Sequence, residues 1–260
     1  MKVARSLGPA PQDLRRHVEG VWSYHNATND WHDEVTPADE GTNLVVQLGP
    51  GRAPFLFLCG PEPTHRPIVA PPSSVWVGLR LRPGATRAIL GVEGCELVGG
   101  LVPLADVMPR ECRPLAERLA EGEEAAHVLL EVVRGRSRGA RRSPEIERVS
   151  RAVALLSDDT TRGLDAVTHE LGTSPRSFRR EFGRLVGLGP KRFARVLRVR
   201  RAARHLSTTP NLLGLALDAG FSDHAHMTRE FVALLGRAPS ELRQAEMPFV
   251  PGAKGSVVDS

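Results

Sequence analysis

The sequence predicts an α+β protein in which a β-rich N-terminal part precedes an all-α C-terminal part. Apolar runs in the first half partly alternate with polar residues and end at Gly or Pro, as strands do. From Ser143 to about residue 245, the apolar residues recur only at helical spacing. Between the two parts lies "RGRSRGARR" (134–142), which holds five Arg and no acid. With 260 residues, the chain is long enough for two domains.

The N-terminal elements follow from these local patterns. The predicted strands are 42–49, 55–60 and 75–84, and "GATRAILGV" (84–92) predicts a short helix. Prolines between residues 61 and 72 predict a loop region between strands. Residues 109–133 predict one helix, or two helices broken at Gly122.

The C-terminal part begins at Ser143-Pro144-Glu145, which predicts a helix start. Ser143 supplies a capping hydroxyl, Pro144 suits the first turn, and Glu145 places a negative charge at the positive end of the helix. Only helices and short turns are predicted from there to about residue 245.

Charge is distributed unevenly along the chain. Residues 1–133 hold 12 Lys and Arg against 17 Asp and Glu, whereas residues 143–247 hold 17 against 12. Within residues 171–206 there are 11 basic side chains and one acid, Glu181. Such a one-signed field favours a polyanionic partner, and the alternative is a solvated basic face.

Other sequence features narrow the class of protein. The spacing of the three cysteines fits neither a zinc site nor a disulfide framework. Free cysteines of this kind are typical of proteins in the reducing cytoplasm. The N-terminus lacks the apolar run of a signal peptide, and no apolar stretch approaches about 18 residues, so no membrane span is predicted. No catalytic set, metal site or cofactor is predicted. Four aromatic residues are candidates for lining a ligand pocket, with an ordinary core role as the alternative: Trp22, Trp31, Trp76 and Tyr24.

The C-terminal part contains an internal repeat. Leu164 and Gly172 match Leu212 and Gly220 at an offset of 48, whereas Phe182 matches Phe231 at an offset of 49. One residue has therefore been inserted between the two landmarks in the second copy. Repeats of this kind expose the architecture of a chain.

Each copy predicts a helix-turn-helix. A short helix ends at the glycine, Ser174 or Asp223 caps the next helix, and that helix carries two apolar residues four apart. The second helix of such a unit enters the DNA major groove. Between the copies, "PKRFARVLRVRRAARHL" (190–206) predicts a helical spacer with an apolar stripe that includes Phe193.

On these motifs, residues 145–245 resemble the DNA-binding domain of the AraC/XylS family of bacterial transcription regulators. The matching segments are "GFSDHAHMTREF", "GRAPSELR", "GLGPKRF" and the two-motif layout. Met227 and Thr168 depart from the family pattern without removing a DNA-facing group. The first half resembles a poorly characterised N-terminal region of some members. This resemblance implies a β-rich, barrel-like domain that binds a small molecule or mediates dimerisation.

The predicted organisation has four segments. Residues 1–133 are the sensing or dimerisation domain and 134–144 a basic linker; residues 145–247 are the DNA-binding domain and 248–260 a flexible tail.

The resemblance implies eight DNA-facing residues. They are Arg176, Arg179, Arg180 and Arg184 in the first unit, and His224, Ala225, Thr228 and Arg229 in the second. An arginine in this position can read guanine, hold a phosphate or remain solvated. Arg180 also allows a structural role, because both it and its repeat partner Arg229 lie between two core residues of their helices. Neither zinc ligands nor a catalytic set lie near His224 and His226 in the sequence. His226 is expected to support the fold as a buried, hydrogen-bonded helix-packing residue rather than to contact DNA.

The leading function is therefore a sequence-specific DNA-binding transcription factor whose N-terminal domain senses a ligand or mediates dimerisation. The alternatives are an enzyme domain tethered to a DNA-binding module and a non-specific nucleic-acid-binding protein. Double-stranded DNA is the expected partner, and a small-molecule effector, RNA polymerase and a second copy of the chain are left open.

Overall fold

The computed structural model describes residues 2–139 and 143–244. Its N-terminal half contains a six-stranded antiparallel sheet in the order β1-β2-β7-β4-β5-β8. These strands are β1 (Lys2–Pro9), β2 (Val18–Asn26), β4 (Thr42–Leu48), β5 (Phe55–Cys59), β7 (Ser74–Leu81) and β8 (Leu101–Pro103). The three predicted strands correspond to β4, β5 and β7. Strands β1 and β8 lie at the two edges, so the expected barrel-like sheet is instead open over the described residues.

A separate two-stranded ribbon pairs β3 (His32–Thr36) with β6 (Arg66–Ala70). The prediction of a loop between residues 61 and 72 was therefore wrong for 66–70. Pro67 pairs opposite Val35 in this ribbon and is exposed. A two-stranded ribbon has only edge strands, where a proline is tolerated because its missing N–H can face away from the partner.

Four helices cover one face of the sheet. They are α1 (Thr86–Leu90), α2 (Leu104–Val107), α3 (Pro109–Ala120) and α4 (Ala125–Arg138). The region predicted as one helix or two forms two, with Gly122 in the left-handed conformation at φ 92° between them. Buried aliphatic side chains such as Leu44, Leu79 and Val128 form the core between sheet and helices. Helix α4 continues into the predicted linker as far as Arg138.

Over residues 143–244, the C-terminal half forms seven helices. They are α5 (Pro144–Asp158), α6 (Leu164–Glu170), α7 (Pro175–Val186), α8 (Pro190–His205), α9 (Leu212–Asp218), α10 (His224–Leu235) and α11 (Pro239–Gln244). Helix α5 begins as predicted, because the Ser143 side chain accepts a hydrogen bond from the backbone N–H of Ile146. The core of this half also takes in Ala38 from the N-terminal half.

The four segment boundaries stay predictions. Residues 140–142 of the linker, and the whole of the tail predicted at 248–260, lie outside the described residues. Within the described residues, no helix is both long and apolar enough to cross a membrane.

Candidate DNA-binding interface

The first helix-turn-helix consists of α6 and α7. Gly172, at φ 59°, makes the left-handed turn after α6. Ser174 then caps α7 by accepting a hydrogen bond from the Ser177 N–H at 3.2 Å. Phe178 and Phe182 are fully buried and lie 5.3 Å apart between ring centroids, so one face of α7 is fixed in the core. The predicted cap and apolar pair are confirmed.

The second unit, formed by α9 and α10, repeats this construction. Gly220 turns at φ 84°, and Asp223 caps α10 through the N–H of His226 at 2.6 Å. Met227 and Phe231 are both fully buried, so the unusual methionine occupies the core position that the repeat predicts. One residue lies between the glycine and the capping residue in the first unit and two residues lie there in the second, which is where the insertion falls.

Helix α8 is the spacer between the units. Its buried stripe includes Phe193, Val196 and Leu197, as predicted, and it packs against α5, α7, α9 and α10. Arg195 of α8 forms an ion pair with Glu230 of α10. These contacts fix the two units relative to one another through a single helix.

The four predicted arginines of α7 fall into two environments. Arg176, Arg179 and Arg180 are exposed, and no acid partner is seen for them among the described residues. Arg184 is half-buried and donates to Glu93 at 2.5 Å and to Glu145 at 2.6 Å. Burial opposes its charge, but the hydrogen bond to Glu145 and the charge of Glu93 raise the Arg184 pKa overall.

The predicted residues of α10 also differ in exposure. His224, Ala225 and Arg229 are exposed, whereas Thr228 is half-buried and its hydroxyl donates to the His224 carbonyl at 2.9 Å. The ring of His226 packs edge-on against Phe221, with centroids 5.5 Å apart.

His226 also makes polar contacts within its own turn. Its Nδ1 accepts from the Ser222 N–H at 3.3 Å and lies 3.0 Å from the Ser222 hydroxyl. These contacts support the structural role expected for His226, and its distance from DNA stays a prediction.

Further exposed cations lie near these helices but were not among the predicted residues. Lys191 and Arg192 occupy the first turn of α8, and Arg237 follows α10. The charge density of residues 171–206 was a signal for the first two. Glu181, the one acid in that run, is neutralised by Arg148 of α5 at 2.9 Å.

A buried charge cluster, not predicted from the sequence, joins the two halves of the chain. Arg80 of β7 is fully buried and donates to Asp39, to Glu40 at 2.8 Å and to Glu19 at 2.8 Å. Arg200 of α8 is 1% exposed and donates to the same Glu40 oxygen at 2.5 Å. It also lies 3.6 Å from Asp39. We call these five residues the interdomain charge cluster.

The charges of this cluster stabilise one another against the cost of burial. Burial alone would raise the Asp39 pKa, but Arg80 and Arg200 lower it overall. Burial likewise opposes the charge of Arg80, whereas Asp39 and Glu40 raise its pKa well above the ordinary value. Both groups are therefore charged at neutral pH.

The N-terminal half also contacts the C-terminal ends of both second helices. The Ala38 N–H donates to the Leu234 carbonyl at 2.8 Å, at the end of α10. A 3₁₀ turn at Gly94–Leu97 packs on the end of α7, so closely that a side chain at Gly94 would clash with the Leu185 carbonyl. The exposed N-terminal turns of α7 and α10 lie at the other ends of these helices.

Comparison with known proteins gives one family match and several structural neighbours. The family model of a helix-turn-helix domain matches residues 167–245, from within α6 through α11. One similar structure is a probable AraC family transcriptional regulator from Rhodopseudomonas palustris, at 29% identity and TM-score 0.36, covering 39% of this chain and 99% of that one.

Two further structures are similar over different lengths. A transcriptional regulator with an AraC-type DNA-binding domain from Chromobacterium violaceum is 25% identical at TM-score 0.36, covering 38% of this chain and 90% of that one. ToxT from Vibrio cholerae is 12% identical at TM-score 0.45, covering 90% of this chain and 98% of that one.

The assignment follows from the helical half. Two capped helix-turn-helix units share one spacer helix, and one family match runs through both of them. The chain therefore carries an AraC-type helix-turn-helix DNA-binding domain that includes residues 167–245, and a distinct N-terminal domain precedes it.

Proposed function

We propose that the protein is a sequence-specific transcription regulator that reads DNA with α7 and α10 and is controlled by its N-terminal half. The observation that carries this proposal is the pair of second helices, each capped and exposed at its N-terminal end and held by one spacer. N-terminal residues of such a helix contact base edges in the major groove. We place this activity in the cytoplasm, with RNA polymerase as the partner through which the regulator acts.

The exposed side chains of the two helices suit different tasks in this proposal. Arg176, Arg179 and Arg180 can make bidentate contacts with guanine or hold phosphates. His224 and Arg229 offer polar groups on α10, and the Ala225 methyl suits a thymine methyl. Arg184 is proposed to reach DNA only after its contacts with Glu93 and Glu145 break.

Selection of bound DNA from a random pool by the full-length chain tests sequence reading. We expect an enriched sequence with two recognised blocks about 10–10.5 base pairs apart, because two successive major-groove faces are separated by one helical turn. A pool that shows no enrichment would instead indicate a non-specific nucleic-acid-binding protein. One recognised block would show that only one unit reads bases.

We further propose that the N-terminal half regulates and does not catalyse. Its support is the interdomain charge cluster, in which Glu40 of one half holds Arg200 of the spacer helix in the other. No group of three His, Cys, Asp or Glu among the described residues is arranged to hold a metal. Docking at Arg200 would fix the arrangement of the two units, and a ligand that shifts this docking would change DNA affinity. A small-molecule effector and a second copy of the chain are the proposed inputs.

Glu40→Gln tests whether docking restrains DNA binding. Removing this charge weakens the hold on Arg200, so we expect operator affinity to rise about 5- to 150-fold, the range of ordinary allosteric coupling. Fluorescence anisotropy with the selected DNA measures the affinity, and thermal unfolding confirms that the variant folds. Glu121→Gln, an exposed carboxylate of the same half, is the matched control and should bind as the unchanged protein does.

Two results would contradict the restraint. If the Glu40 variant and the control bound DNA with equal affinity, docking of the N-terminal half would have no effect on DNA binding. Weaker binding by the Glu40 variant, with a shorter protected region, would favour an N-terminal half that assists binding as a dimerisation module.

A further inference from the structure

A cavity of about 260 Å³ lies between the two halves of the chain, beside α5. On the α5 side, the lining side chains recur every three or four residues and so share one face of the helix. They are Ile146, Ser150, Val153, Ala154 and Ser157. Most of them are small, which leaves space that larger side chains would fill. The aromatic residues considered from the sequence as pocket candidates do not line this cavity.

The opposite wall is built on the turn 82–85 that follows β7. Its last N–H donates to the Arg82 carbonyl at 2.9 Å, and Gly84 adopts the left-handed φ of 83° that such a turn needs at its third position. A Cβ at Gly84 would lie 3.3 Å from Cγ1 of Val149, so the turn packs directly on α5. The Arg82 N–H also donates to the His17 carbonyl at 2.8 Å. The backbone that carries Arg82 is therefore fixed by contacts within its own half and with α5.

Two guanidinium groups line this wall. Arg82 donates through Nε to the Arg15 carbonyl at 2.6 Å, and no acidic side chain among the described residues forms an ion pair with it. Its two terminal nitrogens therefore remain for a ligand. Arg16 lies 3.8 Å from Glu147, beyond hydrogen-bond distance, and both side chains of this pair are about half exposed. An exposed pair of this kind contributes little, so Arg16 can also turn to a ligand.

The other ionisable side chains make the cavity cationic at one end and acidic at the other. Burial, and then the charge of Arg16, lower the pKa of His17, so its ring adds no charge at pH 7. Asp158 lines the cavity from the last residue of α5, whereas the turn 82–85 packs on Val149. The two positions are nine residues apart, or about 13 Å along the helix.

The chemistry of the two ends selects one class of ligand. The guanidinium groups and the Ser150 hydroxyl supply more donors than the roughly four lone-pair sites of a carboxylate can accept. A phosphomonoester has three terminal oxygens and a charge of about −1.5 to −2 at pH 7, and it binds guanidinium groups in bidentate fashion. At the other end, the Asp158 carboxylate repels a second anion but accepts hydrogen bonds from hydroxyl groups. The cavity is smaller than the roughly 300–1,000 Å³ of drug-sized ligand sites, which limits the ligand to a small molecule.

We propose that this cavity binds a small phosphorylated sugar. Arg82, Arg16 and Ser150 hold its phosphate group, and Ser157 and Asp158 receive its hydroxyl groups. The apolar side chains between the two ends contact the C–H groups of the sugar. As an effector site, the cavity rests on the proposed regulatory role of the N-terminal half; as a binding site, it does not.

The position of the cavity gives such a ligand a direction of action. Its lining residues come from both halves, so a bound sugar phosphate contacts both and favours the docked arrangement over an undocked one. If docking restrains DNA binding, the ligand should lower the affinity for the operator. The coupling is reciprocal, so DNA should weaken binding of the ligand by the same factor.

Isothermal titration of the full-length protein with glucose 6-phosphate, glucuronate and glucose tests the site. The three probes share a sugar ring and differ in the group at carbon six, which is a phosphomonoester, a carboxylate or a hydroxyl. We expect glucose 6-phosphate to bind at least about tenfold more tightly than either of the others, because charge-assisted hydrogen bonds are the strong ones. Inorganic phosphate, as a fourth probe, should bind more weakly than glucose 6-phosphate because it lacks the sugar.

Two variants with matched controls locate the binding. Arg82→Gln should weaken glucose 6-phosphate at least about tenfold and leave glucose unchanged, whereas Arg110→Gln, at an exposed arginine of α3, should change neither. Ala154→Leu fills the cavity from the α5 side and should abolish binding of glucose 6-phosphate. Ala166→Leu, at an exposed alanine of α6, is its control and should bind as the unchanged protein does. Thermal unfolding confirms that each variant folds.

Several outcomes would overturn the proposal. They are no binding of glucose 6-phosphate, equal binding of glucuronate or of inorganic phosphate, and unchanged binding by a folded Ala154→Leu variant. DNA affinity measured in the same samples separates this proposal from the regulatory one. Sugar-phosphate binding without any change in DNA affinity leaves the site standing and removes the effector role. A DNA affinity that responds to Glu40→Gln, without binding of glucose 6-phosphate, leaves the regulator standing and removes the site.

Discussion

Arg179 and Arg184 lie five residues apart on α7 and have opposite surroundings. Arg179 is exposed, and no acidic side chain among the described residues forms an ion pair with it. Arg184, in contrast, forms ion pairs with Glu93 and Glu145, which lie on two different elements. The sequence places both in a basic run and cannot separate them, because the two acids lie 91 and 39 residues away. Their substitution should therefore have different consequences.

Arg179→Ala should weaken DNA binding and leave folding unchanged. If Arg179 reads a base, affinity should fall by about 1–3 kcal/mol with relaxed preference at one position. If it holds a phosphate, affinity should fall on all sequences and the salt slope should shrink by about one. Anisotropy titrations at several salt concentrations measure both. Arg110→Ala, an exposed arginine of α3, is the control, and identical behaviour of the two variants would show Arg179 to be merely solvated.

Asp39 makes the stability of the folded protein depend on pH. Its folded pKa is lowered below the ordinary 3.8, mainly because Arg80 and Arg200 outweigh burial. Its stabilising contribution is therefore fully present above about pH 4 and is lost as pH falls through the lowered pKa. Asp39→Asn should be less stable than the unchanged protein at pH 7, and the difference should shrink in acid, where Asp39 is protonated.

Urea unfolding between pH 7 and pH 2 measures this difference. The exposed Asp106→Asn serves as the control and should show little difference at any pH. A gap for Asp39→Asn that stays constant down to pH 2 would contradict a charged Asp39 in the cluster.

At the scale of elements, the 3₁₀ turn at Gly94–Leu97 fits the end of α7 only without a side chain. Gly94→Ala should lower the melting temperature, because the new methyl meets the carbonyl of Leu185 and backbone cannot yield cheaply. Gly183→Ala, within α7, has open space around the new methyl and should raise stability by about 0.4–1 kcal/mol. Calorimetry compares the two. A Gly94 variant as stable as the Gly183 variant would mean that the turn does not press on α7.

The helical half could be predicted because its information is local. Helix caps, left-handed glycines and apolar pairs spaced four residues apart all lie within one helix-turn-helix unit. The same features recur in the second unit, which supports the prediction made from the first. Ser174, Asp223 and Met227 all occupy the positions that the repeat assigns to them. The C-terminal end of α4 was less predictable from the sequence. The Gly and Arg residues of 134–138 are typical of a linker, but this segment is helical.

The sheet was only partly predictable because strand identity depends on distant partners. Strand β2 contains Gly20 and the buried polar Asn26, which interrupt the apolar pattern. Asn26 is tolerated inside because it donates to the Ala70 and Pro71 carbonyls at 3.3 and 2.9 Å. Strand β6 carries Pro67, and β1, β3 and β8 also lack a local signal that distinguishes them from loops. Their pairing partners supply what the sequence pattern does not show.

For the whole molecule, the uneven charge along the chain has a structural counterpart. The acidic half contributes Glu19, Asp39 and Glu40 to the interdomain charge cluster, and the basic half contributes Arg200. The sequence indicated opposite net charges but not a buried contact, because Glu40 and Arg200 are 160 residues apart. Arg200 was predicted to lie on the helical spacer, and its partner became visible only in the fold.

Salt should act on the whole molecule in two unequal ways. Exposed arginine contacts with DNA are screened strongly, whereas buried pairs such as Glu40 with Arg200 are screened little. We expect moderate salt to weaken DNA binding steeply while the melting temperature of the DNA-free protein changes little. Parallel anisotropy and thermal scans measure the two responses, and a melting temperature that falls steeply with salt would show the cluster to be accessible to ions.

The extension of α4 to Arg138 leaves residues 139–143 as the connection to α5 at Pro144. A segment that short spans at most about 20 Å, so the halves remain neighbours after any undocking. A short tether holds its two ends at an effective concentration in the millimolar range. An interface with an intrinsic Kd of about 1 mM would then be only half closed, and each further 1.4 kcal/mol changes the closed-to-open ratio tenfold. Within a single chain, the set point for opening therefore lies in the contacts themselves, and only an input from a second copy would make it depend on the concentration of the protein.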